Sequence, residues 1–202
     1  AILGMTLWQV GGNDLEFTQA MRFTTFNVTS ILTGTGYATD DYSQWGGFAV
    51  VMFFFVMFIG GCVGSTSCGI KIFRFQILYA AARTQMARLL QPHGVFVANF
   101  NRRPIPESVM DSVMSFFFLF ALSFAAIAVG LSLMGLDFLT AVSGAGTAIA
   151  NVGPGLGDVI GPSGTFAPLP DMAKWLLAAG MLLGRLELLT VMVLFTRTFW
   201  RG

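Results

Sequence analysis

Two short glycine-rich segments have the composition of a turn that binds a cation through its backbone. The first segment reads Thr33-Gly34-Thr35-Gly36-Tyr37 and the second reads Ala150-Asn151-Val152-Gly153-Pro154. Glycine adopts backbone angles that are closed to other residues, so successive peptide carbonyls can be turned toward one axis. Such carbonyls can replace the hydration shell of an ion. The segments therefore indicate ion coordination by main-chain oxygens, and the second is the poorer match because Asn151 and Pro154 depart from the pattern.

The elements around these segments occur twice in the same order. Phe17 to Leu32 precedes the first segment and Phe138 to Ala150 leads into the second; both stretches are rich in Thr, Ser, Gly and Ala. They are too short to span a bilayer, which takes about 20 apolar residues. Backbone at membrane depth must be buried in protein or line a cavity, which favours re-entrant pore helices over surface loops. Each helix would end at its segment and direct its negative dipole end toward a cation.

Composition places these elements in a membrane. The chain has 202 residues, of which 55% are hydrophobic and 10% charged, against about a quarter charged in an ordinary globular domain. This excludes a nucleic-acid binder, a disordered regulator and a typical soluble enzyme. Apolar length predicts spans at Gly46–Gly64, Ser112–Leu136 and Met172–Phe199, and the end of a further helix at Ala1–Val10. The expected fold class is an all-α membrane protein with two span, pore-helix, filter and span repeats.

The distribution of charge predicts the orientation. Between Asp41 and Glu107 every ionisable residue except His93 is basic, and basic residues near span ends favour the cytoplasm. The acidic residues fall on the other side, where they would either concentrate cations or act as ordinary solvated loops. The basic connection could bind anionic lipid head groups or a partner protein. Its candidate contact residues are Lys71, Arg74, Arg102 and Arg103.

A run of small residues interrupts the first long apolar helix. Glycine inside a helix costs about 1 kcal/mol relative to alanine, so residues 60 to 69 predict a break with free backbone groups facing the ion path. Close helix packing through small residues is the alternative. The segment also lacks the spacing of a phosphate-binding loop. The small residues of this run, to which the family resemblance given below implies a gate role, are Gly60, Gly61, Gly64, Ser65, Thr66, Ser67 and Gly69.

Arg185 lies well inside the last predicted span. A charge at that depth is costly unless it faces protein or water. We expect the arginine to face the ion path below the glycine-rich segments and to oppose cations there. The alternative is a structural pair with a carboxylate or with carbonyls of a neighbouring repeat.

The motifs together resemble a known family. Ser30 to Tyr37, Gly60 to Lys71 and Ala150 to Gly155 are similar to the TrkH-type subunits of the Trk/Ktr/HKT potassium transporters, and the first also resembles the filter of potassium channels. The resemblance implies four repeats around one ion path, with this chain as the third and fourth. Residues 1–16 would end a preceding helix and outer loop, 17–92 form the third repeat, 93–106 the cytoplasmic connection and 107–202 the fourth repeat.

The resemblance also implies a function. It is gated K⁺ uptake across a bacterial inner membrane by a multi-pass protein, with residues 60–69 as an intramembrane loop and Arg185 as a pore arginine. The implied partners are the other two repeats, a second copy in a homodimer, the lipid bilayer and a cytosolic RCK-type, TrkA-like subunit. Nucleotide would act only through that subunit, with K⁺ as the bound ion and no covalent cofactor.

Two other functions remain open at the level of sequence. One is a secondary transporter with discontinuous helices that couples K⁺ to Na⁺ or H⁺. The other is a purely structural or assembly subunit. Enzymatic activity is not expected, because no carboxylate pair lies in a predicted span and no Ser, His and Asp set is placed together.

Overall fold

A computed structural model describes residues 2–12, 15–62, 64–65, 69–91, 94, 96–100 and 103–186. Within them the chain is largely helical, with one 3-10 turn at Tyr42–Gln44. The helices are α1 (Ile2–Gly12), α2 (Phe17–Thr33), α3 (Gly47–Val56), α4 (Ile72–Leu90), α5 (Glu107–Leu133), α6 (Phe138–Ala150) and α7 (Asp171–Arg185). Three of the predicted site residues, Thr66, Ser67 and Arg102, lie outside the described residues.

The helices form two groups, each around its own apolar core. Helices α1, α2 and α3 enclose Met5, Val28 and Phe53, and helices α5, α6 and α7 enclose Leu131 and Leu177. Each semi-polar helix thus packs against the apolar helix that follows it in sequence. This arrangement fixes where the two glycine-rich segments begin.

A third cluster joins the two groups. It is built from Ile70, at the end of the interrupted region, Phe116 and Phe120 of α5, and Ile149 of α6. Phe58 stacks edge-on against Phe120, with ring centroids 5.9 Å apart. Burial of these aromatic rings positions the interrupted region against the second group of helices.

Helix α5 confirms that the predicted second span, Ser112–Leu136, is helical, although the helix runs from Glu107 to Leu133. It has 27 residues, and among the described residues it is the one helix long and apolar enough to cross a membrane. It begins directly after Pro106, which cannot donate a hydrogen bond within a helix. Large apolar side chains are exposed along it: Met114, Phe118, Leu122, Val129 and Leu133.

The first predicted span was wrong in its length. Helix α3 ends at Val56 instead of continuing to Gly64. The chain then pairs with its own return segment: the Gly60 amide donates to the Ile70 carbonyl at 2.9 Å, and the Ile70 amide donates to Phe58 at 2.9 Å. These bonds replace helical ones, so the break begins at Met57, before the glycine-rich run.

The structure describes the third predicted span only in part, and it contains two short strands that the all-α prediction omitted. The predicted third span begins at Asp171 as α7, which the structure describes to Arg185; residues 187–199 lie outside the described residues. The all-α class omitted a small antiparallel hairpin, in which β1 (Asn99–Phe100) pairs with β2 (Arg103–Pro104). Its second strand ends on Pro104, which has no amide to extend the ladder.

Candidate ion-binding site

Helices α2 and α6 end in the same way. The residue after α2 is Gly34, with φ 70° and ψ 22°, and the residue after α6 is Asn151, with φ 52° and ψ 45°. A left-handed residue at this position is a common helix stop, and glycine and asparagine are the residues that adopt it most readily. Both predicted stretches are therefore confirmed as short helices that stop at the glycine-rich segments. We call residues 33–37 the first hairpin and residues 150–154 the second hairpin.

The amides of both hairpins bond back to their own helices in one pattern. Gly34 and Asn151 donate to the carbonyls of Ile31 and Ala148, at 3.1 and 3.2 Å. The next amides, of Thr35 and Val152, donate to the carbonyls of Ser30 and Thr147, at 2.9 and 3.1 Å. The third pair also matches: Gly36 N bonds Ser30 O at 3.4 Å, and Gly153 N bonds Thr147 Oγ1 at 3.0 Å.

This pattern determines the direction of the hairpin carbonyls. In a planar trans peptide the carbonyl points opposite to the amide of the next residue, and the described chain contains no cis peptide. Because each hairpin amide points to its helix, the preceding carbonyl points away from it. The oxygens so directed belong to Thr33, Gly34, Thr35, Ala150, Asn151 and Val152.

The two hairpins lie against each other. A Cβ built on Gly36 would stand 2.5 Å from the Val152 carbonyl oxygen and 3.2 Å from Cδ of Pro154. A Cβ built on Gly34 would stand 3.7 Å from the Asn151 carbonyl oxygen. Carbonyl oxygens of the second hairpin therefore face the first hairpin, and the structure brings the two predicted segments together.

Two buried polar side chains bond to the backbone that follows each hairpin, which we call its outgoing leg. Asn27 of α2 is fully buried; its Nδ2 donates to Thr39 Oγ1 at 3.1 Å and its Oδ1 accepts from the Thr39 amide at 3.0 Å. Ser143 of α6 does the same for Leu156, accepting from its amide at 3.0 Å and donating to its carbonyl at 3.2 Å. Sequence reasoning missed both residues, although a polar residue inside a short apolar-flanked helix was the available signal.

Replacing Asn27 with alanine is expected to destabilise the first hairpin. The change removes both hydrogen bonds between Asn27 and Thr39, and an intramolecular hydrogen bond typically contributes about 0.5–1.5 kcal/mol to stability. The midpoint of thermal unfolding in detergent should fall, while Thr25→Ala, an exposed change on the same helix, should leave it near the wild-type value. Equal midpoints for the two variants would contradict the role assigned to Asn27.

The two ends of the interrupted region, residues 58–60 and 69–70, lie in backbone contact, and we call this contact the neck. Gly69, with φ 80°, lies so close that an added Cβ would stand 3.2 Å from the Phe58 carbonyl and 3.3 Å from the Gly60 amide. Farther out, Gly64 also has a positive φ but has open space around it. Ile70 at the neck is buried beside Ile149, so the base of the loop rests against the end of α6.

The neck can be tested by comparing two glycines of similar backbone angle. Gly69→Ala and Gly64→Ala both place a side chain at a positive φ, at about 1–2 kcal/mol, but only Gly69 also meets backbone atoms. Hydrogen exchange of the segment around Gly60 and Ile70 should accelerate more in Gly69→Ala. Equal acceleration in the two variants would show that the close approach at Gly69 carries no weight.

Arg185 is placed beside the second hairpin by its neighbour Gly184. A Cβ on Gly184 would overlap the Ile149 carbonyl oxygen, so α7 meets the end of α6 in direct backbone contact. Nδ2 of Asn151 donates to the Met181 carbonyl at 2.9 Å, one turn earlier on α7. The structure therefore brings Arg185 to the base of the second hairpin.

The described residues among the predicted partner contacts belong to different parts of the chain. The Arg74 guanidinium lies 3.8 Å from the centre of the Phe116 ring, in the contact between α4 and α5. Arg103 belongs to the exposed strand β2, and Lys71 directly precedes α4. Arg74 therefore stabilises the fold of this chain, whatever else contacts it.

Several acidic residues of the predicted outer side have local structural partners. Asp137 accepts the Thr140 amide at 3.1 Å at the start of α6, and hydrogen bonds from the side chain and amide of Thr140 hold its pKa below the usual range. Asp40 accepts the Trp45 indole N–H at 2.7 Å. A role for this side in concentrating cations stays a prediction.

The comparisons with known proteins identify the family. The family described as TrkH, cation transport protein, matches residues 13–201. The chain therefore belongs to the TrkH family of cation transport proteins, as its motifs predicted.

Particular relatives cover nearly all of the chain. It is 56% identical over 200 residues to the Trk system potassium uptake protein TrkI of Halomonas elongata, covering 99% of this chain and 40% of that protein. It is 38% identical over 176 residues to the Trk system potassium uptake protein TrkH of Escherichia coli K12, covering 87% of this chain and 36% of that protein. The chain thus spans about two fifths of the length of the relatives it matches.

A solved structure has the same fold. The crystal structure of the potassium transporter TrkH from Vibrio parahaemolyticus matches with a TM-score of 0.91 at 35% identity, covering 98% of this chain and 42% of that chain. The fold is therefore that of a largely helical membrane transport protein, a class that contains transporters rather than enzymes.

Proposed function

We propose that this chain forms part of a K⁺ uptake protein in which K⁺ crosses the membrane by gated permeation through a filter of backbone carbonyls. The observation that carries the proposal is the contact between the two hairpins, whose amides bond to their helices while the opposed carbonyls face the neighbouring hairpin. The names of the relatives, which are potassium uptake proteins, support K⁺ as the ion.

The filter would work by exchanging water for peptide oxygen. The proposed ligands are carbonyls of Thr33 to Tyr37 and of Ala150 to Pro154, which would replace the hydration shell of the ion. Helices α2 and α6 end at the hairpins, so the negative ends of their dipoles add attraction for a cation. Asn27 and Ser143 would fix the path of the backbone that follows each hairpin, by accepting hydrogen bonds from the amides of Thr39 and Leu156.

Two hairpins would enclose only part of an ion path. The surfaces beside them support the proposal that further hairpins complete a ring around it. In the first group of helices, a groove lined by Val28, Ile31 and Phe53 is filled by Val152 and Leu156 from the second hairpin and its outgoing leg. The corresponding groove of the second group is a cavity of about 290 Å³. It is lined by Thr147, Ala148, Gly153, Phe166, Lys174, Leu177, Ala178 and Met181.

We assign that cavity to a hairpin from another repeat of the same protein. The match of residues explains the choice: Ala49 and Ala173 are both fully buried, and Phe53 and Leu177 follow one turn later on their helices. The relatives are more than twice the length of this chain, which leaves room for the two further repeats that the family resemblance implies.

The gate is proposed to combine the interrupted region with Arg185. The neck between Phe58 and Ile70 holds the loop against α6, and Arg185 sits at the base of the second hairpin on α7. A loop across the path and a positive charge beside it would both oppose K⁺ until the loop moves.

The remaining proposals concern location and regulation. The protein would lie in the inner membrane of a bacterium as a multi-pass homodimer. A cytosolic RCK-type, TrkA-like subunit would bind nucleotide and contact the basic side, where Lys71 and Arg103 lie. These assignments rest on the family resemblance.

The proposed function is tested with the full-length protein in liposomes. An imposed K⁺ gradient should drive K⁺ flux that Na⁺ at the same concentration does not match. Equal K⁺ and Na⁺ flux, or none from well-folded protein, would contradict a K⁺ filter. The interrupted helix also suits an ion-coupled transporter. That alternative predicts K⁺ movement driven uphill by a Na⁺ or H⁺ gradient.

A further inference from the structure

Asn151 connects the second hairpin to α7 through its side chain. It is the one non-glycine residue with positive φ in the described part of the chain. Asparagine tolerates this conformation better than most residues. Helix termination therefore explains the backbone angle of Asn151, but it does not explain the hydrogen bond that its side chain forms. Nδ2 donates to the Met181 carbonyl at 2.9 Å, thirty positions along the chain. The first hairpin has Gly34 at the matching position, and glycine has no side chain to form such a bond.

The bond falls at the turn of α7 that carries Arg185. Met181 precedes Arg185 by one helical turn, and Gly184 lies between them. A Cβ built on Gly184 would overlap the Ile149 carbonyl oxygen and would stand 2.9 Å from Asn151 Nδ2. The absence of a side chain at Gly184 thus lets the Asn151 amide reach the helix. Together the two residues join the end of α6 to the last described turn of α7.

The two groups of helices differ at this level. We match Ala49 on α3 to Ala173 on α7, since both are fully buried in the apolar cores of their groups. Counted from these alanines, α3 ends at Val56, whereas α7 continues beyond the matching Gly180 to Arg185. The helix that lacks an asparagine contact breaks into the loop, and the helix that has the contact continues.

We infer that Asn151 is a positioning residue that holds the last turn of α7 to the second hairpin and thereby sets the height of Arg185 beside the ion path. The inference rests on the proposed function, in which the Arg185 charge opposes K⁺. In this inference the Asn151–Met181 bond holds the last described turn of α7 in place beside the second hairpin.

The first test compares hydrogen exchange in the full-length wild type and in Asn151→Gly. Glycine keeps the left-handed angle and reproduces the first hairpin, but it removes the donor. Exchange of the 181–186 segment should accelerate in the variant. Leu182→Met is the matched control, because Leu182 neighbours Met181 on α7 and its side chain is exposed. Unchanged exchange in Asn151→Gly would overturn the inference.

The second test is a double-mutant cycle on K⁺ flux in liposomes. Coupling between sites typically changes a measured constant by about fivefold or more, so Asn151→Gly should raise K⁺ flux by about that factor when Arg185 is present. In an Arg185→Gln background it should change flux little. A purely structural role would lower flux equally in both backgrounds, and that result would overturn the inference.

Two provisions keep the outcomes separate. Asn151→Asp has nearly the same shape and also accepts the left-handed angle, but its carboxylate cannot donate, so it replaces Asn151→Gly if the glycine variant misfolds. If the wild type carries no K⁺, the proposed function fails, whereas the exchange experiment still decides whether Asn151 holds α7.

Discussion

Replacing Gly36 with alanine is expected to abolish K⁺ flux through the full-length protein. The residue has φ 77°, a conformation that costs a side-chain-bearing residue about 1–2 kcal/mol. In addition, the new Cβ would stand 2.5 Å from the Val152 carbonyl oxygen, closer than Cβ atoms approach other heavy atoms. Either the first hairpin changes its angles or the second moves away, and in both cases the contact between the two hairpins changes.

The control for this prediction is Gly47→Ala. Gly47 begins α3, has no positive φ and has nothing within 4 Å of an added Cβ, so K⁺ flux and protein yield should match the wild type. Gly153→Ala provides a graded case, because its φ is 118° but its nearest neighbour is 3.7 Å away. It should impair flux less than Gly36→Ala. Wild-type flux in a well-folded Gly36→Ala protein would show that the hairpin contact is not part of the ion path.

Replacing Arg185 with alanine is expected to increase K⁺ flux. Two unit positive charges about 8 Å apart repel by about 2 kcal/mol at an effective dielectric constant of about 20. Removal of this barrier corresponds to a rise of at least about tenfold, because each 1.36 kcal/mol changes a rate tenfold. The measurement is the initial rate of K⁺ flux into liposomes at equal protein density.

The Arg185→Lys variant separates the effect of the positive charge from the effect of side-chain size. Lysine keeps the positive charge, so the flux should stay close to the wild-type rate, while Arg185→Gln should behave like the alanine variant. Unchanged or lower flux in Arg185→Ala, with normal unfolding temperature, would instead assign Arg185 to a structural pair.

The two short helices could be predicted from sequence because their limits are local. The predicted stretch from Phe17 to Leu32 differs from α2 by one residue, and the stretch from Phe138 to Ala150 coincides with α6. Asp137 supplies an N-cap for α6, and Gly34 supplies the left-handed stop of α2. Signals of this kind need no information about the rest of the chain.

The end of α3 could not be predicted in the same way. Met57, Phe58 and Ile59 are apolar and acceptable in a helix, so sequence alone favours continuation. The helix stops because Ile59 pairs with Ile70 and because Phe58 packs against Phe120 and Phe124. Each of these contacts joins residues distant in sequence, and they outweigh the local preference.

The candidate site shows the same division between local and distant information. The hairpins were recognisable by their glycines and threonines. The partner of Asn151 depends on where α7 lies, and the Ser143 bonds depend on the path of Leu156. Asn151 therefore looked like a departure from a filter motif, whereas in the fold its side chain forms a bond that Gly34 cannot.

The most direct measurement is the position of a bound heavy alkali cation in the full-length protein. Rb⁺ or Tl⁺ substitutes for K⁺ and scatters anomalously, so crystals soaked in either ion reveal its site. We predict an anomalous peak between the Gly36 and Gly153 hairpins, in contact with main-chain oxygens from both. Ordered hairpins with no peak between them, and with the ion bound only elsewhere in the protein, would contradict coordination by these carbonyls.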